Sequence, residues 1–241
     1  MQNNLIDTLL KNVLIHKNQP FACYVKYQEK EYYKYNQSNE YSTFRLASVT
    51  KQFIAYGIIC LIKDNKLTYQ TTLDKIYNDA PKYFSEISIL NLLNHTSGLP
   101  DYDEDLNEHY TTETQIHDID VLHYLYSFKT NPLLFIPGTK YHYSNTAYIL
   151  LGLIIEKLSN QTIDDYLNEK VFKKLNLNNT LINYEGKTTI KNRMYGHTLE
   201  EDKLILNDQY WCSATIGDGG IYSNINDLKI WLNYIFNIEY N

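Results

Sequence analysis

Hydrophobic and polar positions change period several times along the chain. Within residues 3–16, Leu5, Leu9, Leu10 and Val13 recur on one helical face and predict a short helix. The period then shortens: residues 21–27 and 32–35 are rich in β-formers and flank the polar Gln28-Glu29-Lys30-Glu31, which predicts a hairpin. Helical spacing returns over residues 53–62, and the helix carrying it is expected to begin at Ser48. It should end near Asp64-Asn65-Lys66, because asparagine tolerates the left-handed conformation that closes a helix.

Short helices are expected at 73–77 and 87–94, separated around Pro81, with a Gly/Pro turn at His95-Thr96-Ser97-Gly98-Leu99-Pro100. The acidic, weakly apolar stretch 101–113 reads as a surface loop, and a helix should follow near 118–128. Asn131-Pro132 and Pro137-Gly138 demand further turns before an apolar helix at 147–158. A second one at 162–174 carries Ile163, Tyr166, Leu167, Val171 and Phe172 at helical spacing. The pattern weakens after residue 180, resumes at the glycine turn Gly217-Asp218-Gly219-Gly220, and ends in a helix at 226–236. Without repeats or low-complexity linkers, residues 1–241 are expected to form a single domain, helical over roughly 66–180. No run reaches about 18 apolar residues, so no membrane-spanning helix is expected.

Composition narrows the classes. The net charge of −6 and the absence of a basic stripe argue against a nucleic-acid partner. The 24 tyrosines read as compositional drift, so any single tyrosine needs a sequence context before it earns a role. Cys23, Cys60 and Cys212 are odd in number and far apart; Cys23 and Cys60 fall in apolar runs and read as buried free thiols. His109, His117 and His123 lack ligand spacing, so neither a metal nor another cofactor is expected. The first thirty residues lack a signal peptide's charged start and apolar core, which points to the cytoplasm, or to export if a leader is missing.

Candidate chemistry centres on Ser48-Val49-Thr50-Lys51. One helical turn separates Ser48 from Lys51 and puts them on one face. An ammonium there orients a serine hydroxyl and stabilises negative charge, and the helix N-terminus adds donors and a positive dipole end. A serine at that place is equally a common N-cap. Tyr143-Ser144-Asn145 offers a second polar cluster just ahead of an apolar helix, where Asn145 is also a plausible N-cap. His95 reads as a brace for its turn, and Gly217 to Gly220 as a structural turn, since no phosphate-loop Lys-Ser/Thr follows it.

Five blocks in order resemble the class C β-lactamase-like branch of serine hydrolases, which includes penicillin-binding carboxypeptidases, esterases and D-amino-acid peptidases. They are the run from Phe44 through Ser48 and Lys51 to Gln52, Leu92 to Leu99, Pro137 to Gly152 with Tyr143-Ser144-Asn145, the turn Gly219 to Ser223, and Asp227-Leu228. The resemblance implies an α/β fold of the α+β type: an antiparallel sheet flanked by helices plus a large helical region. It implies Ser48 as nucleophile, with Tyr143 and Lys51 sharing the proton work. Asn145 would bind a substrate amide or steady Lys51, and the Ser48 N–H would supply one oxyanion donor. The expected substrate is a small molecule or peptide with a peptide, ester or lactam carbonyl. The family's Lys-Thr-Gly or His-x-Gly strand is not found between Gly220 and Asn241, and Gly196-His197-Thr198 precedes the glycine turn. The C-terminal strands are therefore expected to be missing, with an exposed sheet edge open to a strand-donating partner or to self-association. A catalytically impaired remnant or non-catalytic binding protein on the same scaffold is the alternative.

Overall fold

The computed structural model describes Thr8 and residues 18–27, 29–184 and 188–237. The helix expected at 3–16 lies outside the described residues, Thr8 apart. In chain order, β1 (Phe21–Tyr27) and β2 (Lys30–Asn36) precede β3 (Phe44–Arg45), a 3-10 turn (Ala47–Val49) and α1 (Thr50–Lys63). α2 (Ile89–Leu93), α3 (Tyr102–Asp105), α4 (Asp118–Ser127) and α5 (Asn145–Ser159) follow. α6 (Ile163–Leu167) runs through a π-helical turn (Asn168–Phe172) into α7 (Lys173–Leu175). Then come β4 (Leu181–Ile182), β5 (His197–Glu200), β6 (Lys203–Leu206), β7 (Ile221–Ser223) and α8 (Ile225–Phe236).

The fold is mixed α/β, with small antiparallel sheets and helices, as the pattern and the resemblance led us to expect. Two compact units are distinguished: Arg45–Thr189 with Gln209–Ser223, and Met1–Phe44 with Ile190–Asp208 and Asn224–Asn241. In the latter, β1 and β2 pair antiparallel with Phe21 opposite Asn36 and Tyr24 opposite Tyr33. Lys229 of α8 lies over both of those rings and pairs with Glu31, fixing the helix to the hairpin. β5 and β6 make a second hairpin, His197 opposite Leu206.

The larger unit holds the helical core. Phe53, Ile54, Ile58 and Leu61 of α1 face Ile149, Leu150, Ile154 and Ile155 of α5, all fully or nearly fully buried. Each such side chain contributes about 1.5–3 kcal/mol on burial. Gly57 permits the approach, because a Cβ there would lie 2.8 Å from Ile155 Cδ1. β4 pairs antiparallel with β7 in the sheet order β3-β7-β4.

The short helices expected at 73–77 and 87–94 are a 3-10 turn (Leu73–Lys75) and the five-residue α2, with a further 3-10 turn (Lys82–Glu86) between them. Two expectations need correction. The stretch at 101–113 is not wholly a surface loop: α3 lies within it, Asp101 is buried, and Tyr102 packs on Trp211 at 5.8 Å. Cys23, Cys60 and Cys212 are free thiols but only half-buried.

Candidate active site

Ser48 sits in the 3-10 turn leading into α1, exposed, directly after Ala47, whose φ of 45° lies in the left-handed region. β7 pins that turn from both sides. The Leu46 N–H donates to Ile221 O at 2.9 Å, and the Ile221 N–H donates to Thr50 Oγ1 at 3.1 Å. Because α1 continues regularly from Thr50, Lys51 points the same way as Ser48, and it is buried.

A buried ammonium needs acceptors on every side. Lys51 Nζ donates to Asn145 Oδ1 at 2.9 Å, to the Asp218 backbone oxygen at 2.9 Å and to Ser48 Oγ at 3.3 Å. Tyr143 lies across the opening, and its hydroxyl donates to the same Ser48 Oγ at 2.9 Å. Lys51 Nζ also lies 5.1 Å from the Tyr143 ring centroid, within the range of cation–π attraction. Ser48, Lys51, Tyr143 and Asn145, singled out in sequence, thus meet in one cluster.

The N-terminus of α5 supplies Asn145. Ser144, rather than Asn145, is its N-cap: the Ser144 hydroxyl accepts from the Ala147 N–H. The buried Asp101 carboxylate takes the Asn145 and Thr146 N–H groups at 2.9 and 2.8 Å, a stable place for negative charge at a helix start. The Asn145 Nδ2 donates to Asp103 at 3.3 Å, and burial followed by the Asp101 charge pushes the Asp103 carboxyl up.

The glycine turn supplies the Asp218 oxygen. Asp118 at the start of α4 accepts the Ile216 and Gly217 N–H groups at 2.8 and 3.0 Å. Tyr102 and Thr215 hydroxyls donate to the Asp218 carboxylate at 3.0 and 2.7 Å, and Arg45 Nε donates to Gly219 O at 3.2 Å. Gly217 cannot carry a side chain, since a Cβ would lie 2.6 Å from Tyr148 O. Burial, then the Asp218 charge, pushes Asp118 up to about 8. Burial also raises Asp218, with Lys51 opposing it.

Asp101, Asp118, Asp218 and Tyr102 were not foreseen. Their partners are backbone groups and hydroxyls distant in sequence, which leave no local spacing to read. Among the described residues, no group of three or more His, Cys, Asp or Glu side chains is arranged to hold a metal ion. None of their helices is long and apolar enough to cross a membrane.

Comparison with known proteins decides the kinship. The Beta-lactamase family model matches residues 15–240. The chain belongs to the β-lactamase family. It is 31% identical to penicillin-binding protein 4* of Bacillus subtilis (strain 168), over 78% of this chain and 43% of that protein. Among solved structures, the octameric penicillin-binding protein homologue from Pyrococcus abyssi has a TM-score of 0.81 at 22% identity, covering 98% of this chain and 57% of that one. D-amino acid amidase from Ochrobactrum anthropi SV3 has a TM-score of 0.82 at 22% identity, covering 98% of this chain and 70% of that one. These two likenesses establish the fold. The chain spans about half the length of the curated relatives it matches. Its relatives carry penicillin-binding, carboxypeptidase and amidase names.

Proposed function

We propose that the chain is a serine hydrolase that works through an acyl-enzyme on Ser48, on the carbonyl of a peptide, ester or lactam. One observation carries this reading: Ser48 Oγ, exposed to substrate, lies within hydrogen-bond reach of both the Tyr143 phenol and the buried Lys51 ammonium. On this reading Ser48 Oγ attacks the carbonyl carbon as its proton passes to the Tyr143 phenolate oxygen. This step takes place with Tyr143 ionised and its hydrogen bond to Ser48 reversed from the one observed, and the Lys51 ammonium beside the ring supplies positive charge for that state. Collapse of the tetrahedral adduct breaks the bond to the leaving group, which takes the proton from Tyr143. Water then attacks the ester, with Tyr143 receiving its proton and returning one to Ser48. The Ser48 N–H is one oxyanion donor. Asn145 steadies Lys51 through Oδ1, and its remaining amide hydrogen faces a substrate amide.

Residues 1–241 are read as one hydrolase domain. The D-amino-acid and D-alanyl substrates named for relatives make amides of D-configured residues the first class to screen. The octameric relative makes self-association the first partner reading to measure by light scattering, ahead of a strand-donating partner.

Intact-mass analysis after incubation with a fluorophosphonate, and separately with a penicillin, tests the reading, with Ser48→Ala as control. We expect one adduct per chain, absent from the variant. No adduct on a folded, monodisperse sample would overturn the hydrolase reading in favour of a non-catalytic binding protein on the same scaffold.

A further inference from the structure

We propose that His95 is a positioning residue for the Tyr143 phenol. It would clamp the chain on both sides of Tyr143 and its ring from one face, and so fix where the phenol oxygen meets Ser48. The proposal rests on the Ser48 reading above.

Tyr143 is 41% exposed, which is unusual for a group that has to meet another atom within a few tenths of an ångström. A ring so exposed leaves its rotamer to the few groups that touch it. His95 is the ring stacked on it. Its ring stacks on the Tyr143 ring with centroids 4.5 Å apart and planes 24° apart. The His95 backbone oxygen accepts the His142 N–H at 2.8 Å, and His95 Nδ1 accepts the Ser144 N–H at 3.1 Å. The residues immediately before and after Tyr143 are therefore both bonded to His95. The imidazole is itself seated between Tyr148, at 5.0 Å, and Tyr141, at 5.9 Å edge-on.

The geometry also fixes the protonation state that works. A ring whose Nδ1 accepts a hydrogen bond carries its proton on Nε2 and is neutral. Adding a second proton takes the Nδ1 lone pair and removes the acceptor of the Ser144 N–H. The charged and titratable groups facing the ring are Lys51 of α1, Asp101 ahead of α3, and the phenols of Tyr141, Tyr143 and Tyr148. Burial and then Lys51 disfavour the cation, and Asp101 opposes them. The left-handed φ of 56° at His95 belongs to the turn that carries it here.

The test is the rate of Ser48 acylation by a fluorophosphonate between about pH 5 and pH 8, compared between wild type and His95 variants, because Asp118, pushed up to about 8, also titrates there and is common to all of them. Wild-type protein should lose rate as the pH falls through the His95 pKa. His95→Phe keeps the stacked ring but has neither acceptor nor titration. It should be slower on the order of tenfold above that pH, and should lack the acid limb. His95→Asn tolerates the left-handed backbone and offers an acceptor; it should fall between the two and also lack the limb. A brace with no part in the reaction would leave the shape of the profile unchanged. Folded variants with wild-type rates, or the same acid limb in His95→Phe, overturn the proposal. Should neither variant fold, wild-type protein decides by histidine NMR. A neutral Nε2–H ring titrating together with the acid limb supports the clamp, and a limb without a coincident histidine titration overturns it. No labelling of Ser48 at any pH removes the hydrolase reading and the clamp with it, whereas labelling indifferent to His95 removes the clamp alone.

Discussion

Lys51 and Tyr143 reach the same oxygen from opposite environments, and that contrast separates their mutants. Lys51 is buried and spends its other two donated bonds on Asn145 Oδ1 and the Asp218 backbone oxygen. Replacing it with methionine removes the charge and leaves both acceptors without that donor, at about 1–3 kcal/mol for each buried group left unsatisfied. Lys51→Met should therefore lower both the thermal midpoint and the acylation rate. Tyr143→Phe deletes one hydroxyl from an exposed ring and should leave the midpoint nearly unchanged. Its acylation rate should still fall on the order of 10²–10⁴-fold, the scale of a lost general base. Calorimetry and labelling kinetics on both variants check this; a Tyr143→Phe that labels at the wild-type rate would remove the phenol from the reaction. Helical spacing put Ser48 and Lys51 on one face, but Tyr143 and Asn145 were singled out by the family resemblance, since no local spacing links them to Ser48. Asp218 was not, because what it gives Lys51 is a backbone oxygen, and any residue type has one.

Longer elements carry the site by tying loops to helix ends. Asp118 opens α4, and both its oxygens hold the amides of Ile216 and Gly217, just before the Asp218 oxygen that receives Lys51. Asparagine at 118 would turn a donor toward one of those amides. Asp118→Asn should cost about 1–3 kcal/mol for the unsatisfied buried donors and should slow acylation as well, since Lys51 loses its support. Equal labelling rates in a folded Asp118→Asn would uncouple the two loops. Gly217→Ala acts on the same turn from the other side. Its Cβ would meet Tyr148 O at 2.6 Å and Ile149 Cα at 2.7 Å, both backbone atoms of α5 that cannot swing aside. Overpacking of this kind costs about 1–3 kcal/mol, read as a lower urea midpoint at unchanged slope. The helices at these contacts were visible in sequence, since ten to fifteen residues of apolar period outweigh local noise; α4, α5 and α8 fall within two residues of expectation. Elements of four or five residues hold little more than one helical period, so α3 and the 3-10 turn at Lys82–Glu86 were missed. β5 and β6 were missed because most of their positions are exposed, and no alternation of buried and exposed positions marks them.

Across the molecule, the balance of buried carboxyls sets how stability responds to pH. In the larger unit, burial raises Asp103, Asp118, Glu156, Asp164 and Asp218, Asp118 to about 8. Each holds its proton more tightly folded than unfolded, so between the ordinary carboxylate range near about 4 and about 8 the native state binds more protons. That stabilisation is full at the acid end and is lost as pH rises. Glu31, Asp64, Asp74, Glu113 and Glu169 are lowered by hydrogen bonds and cations. Their contribution is lost only as pH falls below about 4.5, outside this window. His95 is lowered too, so its contribution declines as pH falls below about 6.5 and opposes the carboxyls there. Above that point only the carboxyls act, and the net charge of −6 at pH 7 adds self-repulsion in the same direction. The thermal midpoint should therefore fall steadily from about pH 6.5 to about pH 8.5. In Asp118→Asn the slope over that interval should be shallower, because a carboxyl that burial pushes up to about 8 no longer titrates. A midpoint that rises over the interval would mean that the buried carboxyls stay ionised in the native state, with Lys51 and Arg45 compensating their charge.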